Sequence, residues 1–107
     1  MAVVDLTIED YRESFEGKED SYQLIDVREV EEFEDVRLPN TVNIPLSELQ
    51  ARYNEITEDK PIILVWGTGG RSQMAGDFLV ANGYDGVHNL LEGTMGWVKR
   101  NLPTQQG

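Results

Sequence analysis

Gly67, Thr68, Gly69, Gly70, Arg71 and Ser72 follow directly on the apolar run Ile62 to Trp66, and their types and spacing could do chemistry. Successive N–H groups in a glycine turn, joined to the free N–H groups and positive end of a following helix, form a concave site for an anion, here with Arg71 at its rim. Gly67, Gly69 and Gly70 supply the backbone freedom that such a reversal needs, and Ser72 is expected to cap the helix. The spacing is not the Gly-x-Gly-x-x-Gly dinucleotide fingerprint, because Ser72 holds the last glycine position. Nor is it a nucleoside-triphosphate loop, because the lysine is missing. Thr68 and Ser72 carry hydroxyls, yet no general base stands at a recognisable position to activate them. The residues therefore offer a cradle for a small oxyanion such as sulfate or phosphate, and the bland reading beside it is a tight strand-to-helix connection and nothing more.

Other candidates are thinner. His88 is the only histidine and there is no cysteine, so no metal site is expected. Glu29, Glu31, Glu32, Glu34 and Asp35 read as the solvated face of a short helix rather than as a paired-carboxylate site. Trp66 closes the strand, and its ring is expected to turn inward and fill the cradle, covering roughly 150 to 250 Å². An exposed ring would instead be a contact residue. Trp97, with Met95, reads as core.

At 107 residues and 39% hydrophobic, the chain reads as one domain over 1–107, with its core at about 5–101 and a frayed tail at 102–107. Nine basic against 20 acidic residues give a net charge of -11. That field disfavours nucleic acid and acidic membrane surfaces and favours neutral or basic partners. No apolar run approaches the roughly 20 residues of a membrane span, and the first residues lack the positive region of a secretory signal. A cytoplasmic protein is the expectation.

The elements that must position the cradle alternate between helix and strand. Thr7 caps a first helix, which Gly17 closes. A strand follows over Tyr22 to Val27, then the short acidic helix from Glu29 to Asp35. Val42 to Ile44 is a short strand, and Ser47 with Gln50 makes a capping box for a helix carrying Leu46, Leu49, Tyr53 and Ile56 inward. The apolar run Ile62 to Trp66, rich in β-branched residues, is a strand covered on both faces. The next helix buries Met74, Ala75, Phe78, Leu79 and Ala81 and ends at Gly83. Gly86 to Leu90 is the last strand, and Glu92 to Asn101 the last helix. Such alternation implies an α/β fold, a mostly parallel sheet with helices on both faces, whose ligands sit at the carboxyl ends of the strands.

The chain also resembles the rhodanese family. Leu24-Ile-Asp-Val-Arg-Glu29 with Glu32-Phe33, Arg37-Leu-Pro-Asn-Thr-Val-Asn-Ile-Pro45, Pro61 through Ser72, and Asn89-Leu-Leu-Glu-Gly-Thr-Met-Gly-Trp97 match in order. The resemblance implies a small domain with a central parallel sheet of about five strands, and an activity that passes sulfane sulfur from thiosulfate or a persulfide to a thiol or cyanide. The nucleophile implied is a cysteine opening the pattern Cys-Arg-Ser-Gly-x-Arg-Ser. Gly69, Arg71 and Ser72 match that pattern, Thr68 replaces serine and Gly67 replaces the first arginine. Trp66 stands where the cysteine should be. Arg37 and Asn40 replace a histidine and a glycine of the family, and Glu92 replaces the first of two glycines before the last helix. Asp26 and Arg28 match a stretch in which the acid ties down neighbouring backbone.

Persulfide transfer needs a thiolate, and indole has no comparable nucleophilic atom. Two readings follow. In the first, this is a rhodanese-like domain without sulfurtransferase activity, a binding or regulatory module whose loop takes thiosulfate, sulfate or phosphate or whose surface takes a protein partner. In the second, it is a thiosulfate or persulfide sulfurtransferase whose cysteine is replaced by Trp66 in this version of the chain. Neither reading needs a cofactor.

Overall fold

The computed structural model describes residues 2–67 and 72–107. Five parallel strands, β1 (Val4–Leu6), β2 (Gln23–Asp26), β3 (Val42–Asn43), β4 (Ile62–Val65) and β5 (Val87–Leu90), form one sheet in the order β1-β5-β4-β2-β3. The helices are α1 (Ile8–Ser14), α2 (Val30–Asp35), α3 (Leu46–Arg52), α4 (Ser72–Ala81) and α5 (Gly93–Lys99). The expected class is therefore realised, with every strand pair parallel. β1 was not anticipated, since only Leu6 of its residues is buried and the segment is too short to show an alternation. Among the described residues no helix is long and apolar enough to cross a membrane.

The position of β4 follows from its sequence. Ile62, Ile63, Leu64 and Val65 are all fully buried, and only a strand paired on both edges and covered on both faces can bury such a run. Side chains alternate across the sheet: Ile62, Leu64 and Trp66 join a cluster with Leu49 and Leu79 from α3 and α4. Ile63 and Val65 join the opposite cluster, with Tyr11 of α1 and Trp97 of α5.

Several local expectations need correction. α3 begins at Leu46 with Pro45 at its cap, so Ser47 lies inside the first turn, and its hydroxyl reaches the Glu29 carboxylate at 3.3 Å. Ser72 lies within α4 rather than ahead of it. Met74 and Ala81 are exposed on that helix, and Gly76 takes part of the buried face instead. Met95 is exposed as well, although Trp97 is buried as expected. The tail does not fray. Gln105 exchanges both backbone hydrogen bonds with Arg37 at 3.0 and 2.9 Å, the Gly107 N–H donates to the Glu34 carbonyl at 2.9 Å, and the Trp97 indole N–H donates to the Pro103 carbonyl at 2.7 Å.

A buried ion pair closes the end of β2. The Arg28 guanidinium donates to both Asp26 oxygens, at 3.1 and 2.8 Å, and the Arg28 backbone N–H donates to Oδ1 at 2.9 Å. The same guanidinium reaches the Val36 carbonyl beyond α2 at 2.6 Å, and Asn43 donates to the carbonyls of Asp26 and Arg28. Removing one partner strands the other charge in the interior. Asp26→Asn is accordingly expected to lower unfolding free energy by about 3–5 kcal/mol, read from urea denaturation, and a loss under about 1 kcal/mol would show that water relieves the arginine.

Candidate functional site

The carboxyl end of β4 is where a parallel sheet places its ligand, and three contacts hold it there. The Val27 N–H donates to the Val65 carbonyl at 3.0 Å, the Thr94 N–H to the Trp66 carbonyl at 2.8 Å, and the Met95 N–H to the Gly67 carbonyl at 2.9 Å. The last two donors belong to the first turn of α5, whose N–H groups lack partners within the helix. Gly93 makes the approach possible. A Cβ there would lie 2.0 Å from the Trp66 carbonyl oxygen, and its φ is +54°. No other residue type fits without moving α5 or the end of β4.

Trp66 is 9% exposed and packs into the cluster that contains Ala75 and Leu79 of α4. Its ring is thus part of the core rather than an exposed contact residue; the cradle that the inward reading has it fill lies outside the described residues. Ser72 opens α4 fully buried, its hydroxyl bonded to the Asn89 side-chain carbonyl, and the Asn89 amide in turn reaches Asp5 at 3.4 Å. Asn89 links the last strand to the start of α4, a role that sequence reading missed because a polar residue in a short strand carries no periodic signal. Gly67 is half-buried. Thr68, Gly69, Gly70 and Arg71 lie outside the described residues.

The remaining polar candidates do not converge on this point. His88 sits one strand over, level with Ile63, its Nδ1 at 3.3 Å from the Ile62 carbonyl and its ring against Phe15. The carboxylates Glu29, Glu31, Glu32, Glu34 and Asp35 are exposed along α2, as a solvated face would be. Among the described residues no group of histidine, aspartate and glutamate could hold a metal ion.

Two departures in the sequence have a backbone cause. Asn40 (φ 66°) and Glu92 (φ 65°) occupy the left-handed region where the related pattern carries glycine. Asparagine tolerates that region well, whereas glutamate does so only when held. Arg100 holds it: its guanidinium donates to both Glu92 oxygens at 2.8 and 3.3 Å, to Glu9 at 2.9 Å and to the Gly96 carbonyl at 2.9 Å. Hydrogen bonding to Arg100 holds the carboxyls of Glu92 and Glu9 below the usual glutamate range. Far from the site, burial pushes the phenols of Tyr11 and Tyr22 upward, and their hydroxyls bond each other at 2.8 Å.

Comparison with known proteins gives a consistent picture. The family described as Rhodanese-like domain matches residues 7–100. YrkF of Bacillus subtilis is 32% identical over 96 residues, covering 90% of this chain, which spans only 51% of that protein's length. The sulfurtransferase of Allochromatium vinosum is 30% identical over 80 residues, covering 75% of each chain. Among solved structures, a rhodanese-related protein of Thermoplasma volcanium superposes with a TM-score of 0.85 at 27% identity, over 97% of this chain and 99% of that one.

Two outcomes are expected from this geometry. Gly93→Ala combines a clash with a left-handed backbone and is expected to cost at least about 3 kcal/mol by urea denaturation; a near-neutral result would mean that α5 can shift away from β4. The lowered carboxyls stabilise the fold while ionised, so their contribution is present above the ordinary glutamate value of about 4.3 and is lost as pH falls through the lowered folded-state value. The melting-temperature gap between the protein and Arg100→Gln is therefore expected at pH 7 and expected to close on acidification through that range. A gap independent of pH would assign the arginine's effect to its bond with Gly96 alone.

Proposed function

The chain belongs to the rhodanese-like domain family, and from that premise we propose that it is a member that transfers no sulfur and works as a binding or regulatory module. One observation carries this reading: Trp66, at the position of the family's nucleophile, is buried in the core of a chain with no cysteine at all. Sulfur transfer from thiosulfate requires a thiolate sulfur to attack the outer sulfur, the sulfur–sulfur bond to break and sulfite to leave with the electron pair. The indole ring has no group for the first step. The Ser72 hydroxyl donates to the Asn89 side-chain oxygen, which is not a base.

In this reading the turn Gly67 to Ser72 keeps its affinity for a small oxyanion, thiosulfate, sulfate or phosphate. The support is the positive end of α4, a helix of 10 residues, together with the charge of Arg71 in the sequence. The clamp on the carbonyls of Trp66 and Gly67 involves no side-chain atom of residue 66, so losing the thiol leaves that anchoring unchanged. A second reading is favoured by the sulfurtransferase relative of Allochromatium vinosum: the natural chain carries a cysteine at this position and transfers sulfur.

Incubation with thiosulfate and cyanide is expected to yield no thiocyanate above the protein-free rate, and a catalytic rate from the protein as it stands would overturn the proposal. Trp66→Cys, confirmed folded by circular dichroism because removing a buried tryptophan costs roughly 3 kcal/mol or more, separates the two readings. Thiocyanate formation by that variant means that the rest of the site is competent and strengthens the second reading; continued inactivity means that the site has diverged. Titration with thiosulfate, sulfate and phosphate at low salt is expected to shift the Gly67 and Ser72 amides saturably. Unmoved amides at millimolar ligand would mean that the Trp66 ring closes the pocket and would confine binding to the protein surface.

A further inference from the structure

Among the described residues, α2 is the one α-helix that buries none of its own side chains. It runs for 6 residues, whereas an isolated helix shorter than roughly 12–15 is marginal in water. Packing does not make up the difference: Val30 is exposed, and Phe33, half-buried, joins neither core cluster. Charge works against the helix as well. Glu31 and Glu32 suit its positive end, but Glu34 and Asp35 stand in the last turn, where the dipole favours cations, and Asp35 lies one turn beyond the like-charged Glu31.

Its two ends are held differently. At the start the helix serves itself, the Glu29 N–H donating to the Glu32 carboxylate at 3.3 Å. At the end, carbonyls that have no partner inside the helix are met from outside. The Arg37 guanidinium, 4.6 Å over the Phe33 ring, donates to the Phe33 carbonyl at 3.2 Å, and the Gly107 N–H donates to the Glu34 carbonyl at 2.9 Å. Arg37 is itself tied through its backbone to Gln105, with a hydrogen bond in each direction. The tail that supplies these groups is anchored elsewhere: Leu102 packs against the cluster of Trp97, and the Trp97 indole N–H holds the Pro103 carbonyl. From Pro103 to Gly107 every residue is exposed, so the grip on α2 is made by main-chain bonds.

We infer that residues 103–107 are a strap that caps α2 from outside, and that releasing the bonds of Gln105 and Gly107 lets α2 melt while the sheet stays folded. Such an opening exposes little apolar surface and costs far less than global unfolding. Fixed points bound the segment that opens. On one side Arg28 holds Asp26 and the Val36 carbonyl, and on the other Leu38 is fully buried. The other side-chain tie, from the Ser47 hydroxyl to the Glu29 carboxylate at 3.3 Å, is exposed. The strap thus decides whether the acidic stretch Glu29 to Asp35, which leaves the carboxyl edge of the sheet directly after β2, is presented as a helix or as free chain. The device is independent of the side chain at position 66 and acts whether or not the domain transfers sulfur.

The test is amide hydrogen exchange on the isotope-labelled full chain. The Phe33 and Val36 N–H groups, bonded to the Glu29 and Glu32 carbonyls, report on α2, and those of Leu64 and Val65 report on β4. In the unmodified protein the α2 pair is expected to exchange at least about 100-fold faster than the β4 pair, at a rate that low urea leaves unchanged because little surface opens. Gln105→Pro removes the N–H bonded to the Arg37 carbonyl. It is expected to speed the α2 pair about 5-fold or more, the effect of one lost hydrogen bond, and to leave the β4 pair unchanged. Gln105→Ala keeps that N–H and loses only an exposed side chain, so it is expected to change neither pair. Exchange of all four amides together in the unmodified protein would overturn the strap. So would proline acting equally on both pairs, proline without effect on α2, or alanine matching proline.

Discussion

The carbonyls of Trp66 and Gly67 are the fixed point of this domain. They end the central strand, and a helix from the far side of the sheet donates two N–H groups to them. Such closeness requires a residue without Cβ at position 93 and a left-handed turn immediately before it. The turn holds a glutamate, which is kept in place by Arg100, itself tied to α1 through Glu9. Three elements thus converge on a main-chain contact that is indifferent to the side chain at position 66. Chemistry at this position can be lost while the backbone stays anchored.

That separation explains what the sequence could and could not convey. The strand Ile62 to Val65 was legible because burial on both faces demands a continuous apolar run, and no other element of so short a length produces one. Thr7 was legible as a cap because its side chain and the Asp10 N–H meet within one turn, at 3.0 Å. Ser47 and Ser72 misled for the same local reason, since a serine before an apolar run looks like a cap wherever the helix starts. Both places are drawn into tertiary contacts instead: the Leu46 N–H beside Ser47 bonds the Val27 carbonyl, and the Ser72 hydroxyl bonds Asn89. The tail was read as frayed because polar residues after a proline carry no periodicity, yet a bridge to Arg37 and the indole of Trp97 hold it down. Met74 and Met95 fit the helical apolar stripe in sequence and face outward in the fold. Hydrophobicity alone does not tell a buried position from an exposed one.

The electrostatic organisation divides along burial. Asp26 and Arg28 form the one ion pair among the described residues with both partners buried, and it joins three segments through backbone contacts as well. The pairs made by Arg12, Arg52 and Arg100 are partly or fully open to solvent, where each is worth about 0–1 kcal/mol. Most of the surplus acid therefore contributes little to holding the fold together. It shapes the surroundings instead, repelling polyanions and accelerating encounters with basic partners.

Replacing a reactive thiol by tryptophan changes more than reactivity. A nucleophile must be reachable by its substrate, so a catalytic position stays open and contributes little packing. An indole in the same place is released from that requirement and can join the core with Ala75 and Leu79, covering roughly 150 to 250 Å². Strain or openness kept for activity commonly opposes stability, and abandoning the activity removes the opposition.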